Sequence, residues 1–297
     1  MPDTGIEAIR ALLRSQPRPS GLGERRQRLD SIASTYPVAS DISLEPADVE
    51  GIPVEWSLAP GSDPSRVLLF FHGGGYSSGS IISHRGMVTE AGRAAGVRTL
   101  AVGYRLAPEH PFPAALDDAR AAYAFLLEQG IAPPHIALGG DSAGGGLSLA
   151  LLLTLRKANQ TLPGCAWLVS PWVDLEMTGE SLATKADVDP LIQKPYLQDL
   201  AAAYLGGTDP ANPLVSPLRA DLSGLPPLLV QVGSAETLLD DAARIASRAG
   251  GADVPVTLEI WPHMIHAWHL WAATLEEGRH ALQSAGAFIR ARLFATH

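Results

Sequence analysis

Apolar and polar positions alternate along two early stretches, residues 42–49 and 52–59, with a turn at Gly51 between them. A period of two describes half-buried strands, and this pair is expected near a sheet edge. Beyond them the pattern changes to continuous apolar runs at 66–71, 98–104, 135–140, 165–170, 227–233 and 254–260, which read as strands buried on both faces. Segments of helical period separate the runs: 84–95, 114–128, 143–158, one opening at Asp240 and one over about 275–293. Strands and helices in alternation predict an α/β fold, a mostly parallel central sheet flanked by helices.

Two stretches depart from that rhythm. Ile6, Ile9, Leu12 and Leu13 fall on one helical face, so the chain opens with a short amphipathic helix, and a polar, Arg-rich stretch follows to about Ser40. From Trp172 to Ser216 there is no clear strand, several prolines and one helix around Tyr196–Tyr204. The interruption reads as a helical cap inserted into the core. The expected division assigns 1–50 to the N-terminal part of the cap, 51–171 and 217–297 to the two parts of the core, and 172–216 to the insertion.

Composition narrows the partners. At 297 residues the chain is long enough for one large core with a modest insertion. Lys and Arg number 22 against 31 Asp and Glu, a net charge of −9 with no basic run, which argues against a nucleic-acid partner. The single cysteine, Cys165, excludes an internal disulfide and lies in an apolar run, where it packs as a small hydrophobe. The first residues carry acids and no long apolar segment, unlike a secretory signal, and the most apolar stretch, Leu147 to Leu155, is too short to span a bilayer. A soluble, cytoplasmic protein with no membrane partner is expected.

The strongest chemical signal is Gly140–Asp141–Ser142–Ala143–Gly144, a G-x-S-x-G set between a strand and a helix. Small residues at both ends permit a sharp strand-to-helix turn that raises the serine above the sheet, the nucleophile elbow of α/β-hydrolases. The turn also puts Ser142 at a helix N-terminus, which favours developing negative charge. Gly75–Tyr76–Ser77–Ser78–Gly79 satisfies the same pattern, but a further loop at Ser80–Ser83 is expected to separate it from the next helix, so Ser77 is read as a decoy. Directly after the run at 66–71 comes His72–Gly73–Gly74–Gly75, whose glycines let backbone N–H groups converge on one point. With Ala143, the residue after the nucleophile, Gly73, Gly74 and Gly75 are the candidate oxyanion donors. Serine needs a base, and His263, His266 and His269 stand after the last strand. Their H-x-x-H-x-x-H spacing lacks a neighbouring acidic or cysteine ligand and the i, i+4 pairing of zinc hydrolases, so no metal site is expected.

These segments, together with residues 104–118 (YRLAPEHPFPAALDD) and 234–241 (SAETLLDD), resemble the hormone-sensitive-lipase-like family of microbial carboxylesterases from about residue 66 to the end. The resemblance implies a capped α/β-hydrolase fold, a Ser–acid–His triad, no cofactor, and hydrolysis of short-acyl esters. Carried onto this sequence it places the base at His266 and the acid at Glu236, where the family more often has aspartate. The 104–118 segment is expected to be structural, with Tyr104, Arg105, Glu109 and Asp117 forming a buried network under the glycine loop. Asp141 is expected to hold a neighbouring loop. Tyr76, Trp172, Leu191, Tyr196 and Trp268 surround the expected site, and of these Tyr76 and Trp172 are the candidate pocket walls. A small-molecule ester is the expected partner, and a homodimer is the assembly allowed for. A lactone hydrolase would ask the same of these residues. A non-catalytic binding protein of the same fold would not need serine, carboxylate and histidine in this order.

Overall fold

The computed structural model describes residues 5–17, 19, 21–34 and 38–295. Eight strands build one sheet: β1 (Ser43–Val49), β2 (Ile52–Leu58), β3 (Asp63–Phe71), β4 (Val97–Val102), β5 (Ile136–Asp141), β6 (Cys165–Val169), β7 (Leu228–Gly233) and β8 (Val256–Trp261). Their order across the sheet is β1-β2-β4-β3-β5-β6-β7-β8. β2 runs antiparallel to both neighbours, and every other pairing is parallel. Each apolar run of the sequence is one of these strands. The fold is that of an α/β-hydrolase.

Nine helices are described: α1 (Ile6–Ser15), α2 (Leu22–Ser34), α3 (Ile81–Ala95), α4 (Ala114–Glu128), α5 (Ala143–Lys157), α6 (Ser181–Thr184), α7 (Lys194–Leu205), α8 (Leu239–Gly251) and α9 (Glu276–Leu293). The sheet separates two apolar layers. On one face Leu69, Phe71, Leu138 and Leu168 pack with Leu126 of α4, Leu149 and Leu152 of α5 and Ile245 of α8. On the other, Leu68, Phe70 and Trp167 pack with Met87 and Val88 of α3 and Leu282 and Ile289 of α9. Burial on both faces is why the central strands read as unbroken apolar runs. Among the described residues no helix is long and apolar enough to cross a membrane.

Three features depart from the sequence reading. The polar stretch after α1 contains a helix, α2. Its polar side chains tie it to the loops beneath: Arg26 bonds the Ser77 and Ala107 carbonyls, and Ser80 donates to Asp30. Helix α3 begins at Ile81, earlier than expected. Ser80 and Ser83 cap it reciprocally, Ser80 Oγ accepting the Ser83 N–H at 3.0 Å and Ser83 Oγ the Ser80 N–H at 2.8 Å. The residues read as a separating loop are therefore the cap and first turn of a helix. Finally, β1 lies within residues 1–50 yet belongs to the sheet.

Because β3 and β5 to β8 are parallel, their C-terminal ends share one edge of the sheet, where sites of open α/β folds form. His72 follows β3, Ser142 follows β5, Glu236 follows β7 and His266 follows β8. Over that edge lies α7, from the segment between β6 and β7. Leu200 and Tyr204 of α7 are buried there, and Tyr204 stacks on Tyr76 with ring centroids 3.6 Å apart. Helix α1 packs Ile9 and Leu13 with Met264, Ile265 and Trp268 of the segment after β8.

Candidate active site

Ser142 stands at φ 53° and ψ −119°, a conformation rare for a residue with a side chain. The surrounding structure enforces it. The Ser142 N–H donates to Val169 O at 2.8 Å, and its carbonyl accepts from Gly145, Gly146 and Trp172. A Cβ at Gly140 would collide with the Gly144 carbonyl, and one at Gly144 would collide with Phe71 O. Both glycines of the elbow are thus required by contact. The hydroxyl sits directly before α5, where the first N–H groups have no helical partner.

The glycine loop is fixed from below by Asp141. The Gly73 N–H donates to Asp141 Oδ1 at 2.8 Å, and a Cβ at Gly73 would occupy the place of Oδ2. His84 Nε2 lies 3.2 Å from Asp141 Oδ2 and 3.3 Å from the Gly73 nitrogen. Burial works against the Asp141 charge, but His84 and the Gly73 N–H outweigh it and hold the carboxyl below its usual range. The Tyr104 hydroxyl donates to His72 O at 2.7 Å, and its ring stacks on His72 at 4.3 Å. Burial and the neighbouring His84 push His72 down to about 3, so its ring is neutral. Gly73 is therefore the loop glycine whose N–H is already engaged. Among the described residues the N–H groups of Gly74, Gly75 and Ala143 donate to no protein acceptor.

Of the network expected from residues 104–118, Tyr104 alone reaches the glycine loop. Arg105 pairs with Asp118, a buried carboxylate, and not with Asp117, which is exposed beside Arg120. Glu109 faces outward and pairs with Arg26 of α2.

His266 Nδ1 lies 3.0 Å from Glu236 Oε2, and Glu236 Oε1 accepts the Gly233 N–H at 3.1 Å. Glu236 is fully buried, and burial holds its carboxyl above the usual range despite the imidazole beside it. Burial disfavours a charged His266, but the Glu236 hydrogen bond and charge prevail and raise it above its ordinary value. Two bonds seat the histidine loop: Ala235 N–H to Met264 O at 3.0 Å and Ala267 N–H to Ser170 Oγ at 3.1 Å. Asp240 and Asp241 point elsewhere. Asp240 accepts the Ser181 N–H, while Asp241 accepts those of Val173 and Asp174 and pairs with Arg244.

The three histidines after β8 separate. His263 is exposed, and its carbonyl accepts from Arg10. His269 is buried against Gln231 Oε1 at 2.9 Å, and burial pushes it down to about 3. Among the described residues no cluster of three or more metal-ligating side chains occurs. Ser77 is buried, its N–H turned to Gly74 O and its carbonyl to Arg26. Tyr76 and Trp172 are both fully buried, with ring centroids 6.2 Å apart. Trp268 is buried against His269, Leu191 packs beside α1, and Tyr196 lies under the Arg25 guanidinium at 4.6 Å. Sequence reasoning missed Arg26, His84, Ser170 and Asp189. Only the Asp189–Pro190 pair carried a signal, and it reads as a turn.

A family described as alpha/beta hydrolase fold matches residues 68–270. An acetyl-hydrolase of Streptomyces hygroscopicus is 47% identical over 253 residues, 84% of this chain and 84% of the relative. Among solved structures, an esterase from the bacterial hormone-sensitive lipase family superposes with a TM-score of 0.94 at 46% identity, covering 97% of each chain. A protein named EstE5, soaked with p-nitrophenyl butyrate, superposes with a TM-score of 0.94 at 42% identity, covering 99% of this chain and 100% of its own. The chain belongs to the alpha/beta-hydrolase-fold family and, within it, to the hormone-sensitive-lipase-like esterases: it is a serine carboxylesterase.

Proposed function

We propose that the protein hydrolyses short-acyl carboxylic esters through an acyl-enzyme on Ser142, with His266 as base and Glu236 as acid. The observation that carries this reading is the buried 3.0 Å bond from Glu236 to the His266 ring, on the sheet edge that also presents the strained Ser142. Serine's hydroxyl is a weak nucleophile at neutral pH. His266 takes its proton as Oγ forms a bond to the ester carbonyl carbon, and the carbonyl oxygen becomes an oxyanion. Gly74, Gly75 and Ala143 supply the N–H groups for that oxygen, Gly73 being committed to Asp141. His266 then gives its proton to the departing alcohol as the C–O bond breaks. Water repeats the sequence on the acyl-enzyme and releases the acid. Glu236 holds Nδ1 as the donor and stabilises the imidazolium formed in each half.

The short-acyl preference rests on what covers the site. We assign α1, α2 and the 172–216 insertion to a cap, and Leu200 of that cap sits against Gly75. The acetyl-hydrolase relative and the butyrate ester soaked into EstE5 agree with a small acyl group. Tyr76 and Trp172 support the floor of this region from within the core.

A fluorophosphonate probe tests the nucleophile. Ser142→Ala is expected to abolish labelling and nearly all turnover, whereas Ser77→Ala keeps its label. Loss of label in the Ser77 variant alone would overturn the assignment. A panel of p-nitrophenyl esters and lactones, assayed on the same protein, sets the substrate class.

A further inference from the structure

Asp189 is a buried carboxylate from the inserted segment between α6 and α7, and the mechanism above does not use it. Its Oδ1 accepts the Leu191 and Ile192 N–H groups at 2.8 and 2.9 Å. Its Oδ2 accepts the Thr237 N–H at 2.8 Å and the Thr237 hydroxyl at 3.1 Å. Thr237 is the residue directly after Glu236. The insertion is thus bonded to the backbone that carries the proposed acid.

Charge makes the arrangement more than a staple. Among the described residues no cation is paired with Asp189, and Glu236 has only His266 as its ionic partner. Two buried carboxylates, linked through Thr237, are costly to ionise together unless a positive charge stands near both. His266 is the group that answers both, since Asp189 acts on the charged form of His266 and on that of Glu236. The remaining charge facing His266 is Asp141, at the end of β5, and it has its own partner in His84.

We propose that Asp189 is a positioning residue of the hydrolytic centre: a second buried carboxylate, supplied by the insertion, that fixes the Glu236 loop and balances the charge His266 acquires when it takes the Ser142 proton. The proposal rests on the Ser142–His266–Glu236 reading. It also gives the insertion a part in the chemistry, because displacing residues 189–192 would remove that charge from the histidine.

The test is the pH profile of kcat/KM for wild type, Asp189→Asn, Asp189→Glu and Glu236→Gln on p-nitrophenyl butyrate. Removing a negative charge lowers the pKa of His266, so the acid limb of Asp189→Asn moves to lower pH by about one unit. Its plateau kcat falls about tenfold, the equivalent of one pKa unit of lost imidazolium stabilisation, while KM changes little. Asp189→Glu restores the limb. Should Asp189→Asn not fold, Asp189→Ser keeps an acceptor for Thr237 and gives the same reading. An unmoved limb in a folded Asp189 variant, with only a lower melting temperature, overturns the proposal. If Glu236→Gln turns over near wild type, the triad reading itself fails, and the two failures are told apart.

Discussion

Glu236, Asp240 and Asp241 are three carboxylates within six residues, and the fold gives each a different task. Glu236 is sealed with His266, Asp240 holds Ser181, and Asp241 holds the backbone at Val173 and Asp174. The family resemblance implies Glu236 as the acid, and it stands in the loop just past β7. Asp240 and Asp241 stand in the first turn of α8, as expected of a helix opening near Asp240, and their side chains bond the neighbouring segment across the fold. Glu236→Gln keeps the size but loses the charge and can favour the wrong imidazole tautomer. A comparable change in the serine-protease template costs about 10⁴-fold in kcat, and we expect at least ~10²-fold here. Asp240→Asn and Asp241→Asn are expected to lower the melting temperature and to spare kcat by comparison. The pH profile follows from the same pair. The proposed mechanism needs neutral His266, and Glu236 raises its pKa, so the wild-type acid limb should lie above the ordinary histidine range. A limb at or below about pH 6.5, the unperturbed value, would contradict the pairing.

Elements divide by what holds them. The central strands were legible because strands covered on both faces must be apolar, and the helices between them must present one apolar face. The run at 254–260, expected to be buried on both faces, is instead the edge strand β8, with Leu258 and Ile260 exposed. The elbow was legible for a related reason: glycines at 140 and 144 mark places where no side chain fits. Helix α2 was not legible, because polar bonds to distant loops hold it and its sequence carries no apolar stripe. Asp189 and Ser170 were hidden in the same way, their partners lying far along the chain. The missed helix has a measurable role. Arg26 binds the carbonyl of Ser77, two residues beyond Gly75, together with that of Ala107. Arg26→Ala should let the glycine loop relax and lower kcat about tenfold, a part of the ~10²-fold that losing an oxyanion donor costs. KM should hardly change, and the melting temperature should fall only slightly because Arg26 is partly exposed. A lower melting temperature with unchanged kcat would reduce α2 to scaffolding.

Taken as a whole, the molecule sets a rigid hydrolytic edge under a cover that the sheet does not contain, and the place where they meet should set the acyl length. Leu200 is buried on α7, and its Cδ1 occupies the space where a Cβ on Gly75 would be. The cover therefore presses directly on one of the proposed oxyanion donors. Cutting Leu200 to alanine removes three carbons from that contact. Each further methylene that an acyl chain can bury there contributes about 0.8 kcal/mol, close to fourfold in kcat/KM. Two extra methylenes should raise the hexanoate-to-butyrate ratio of Leu200→Ala about fifteenfold over wild type. The variant should also lose about 2–5 kcal/mol of stability, as large-to-small changes in a packed core do, so the ratio must be measured well below its melting temperature. A Leu200→Ala protein that is folded, destabilised and unchanged in its acyl preference would show that the cover closes on the site without measuring the substrate. A raised ratio with normal activity on acetate would place the limit at the α7–Gly75 contact.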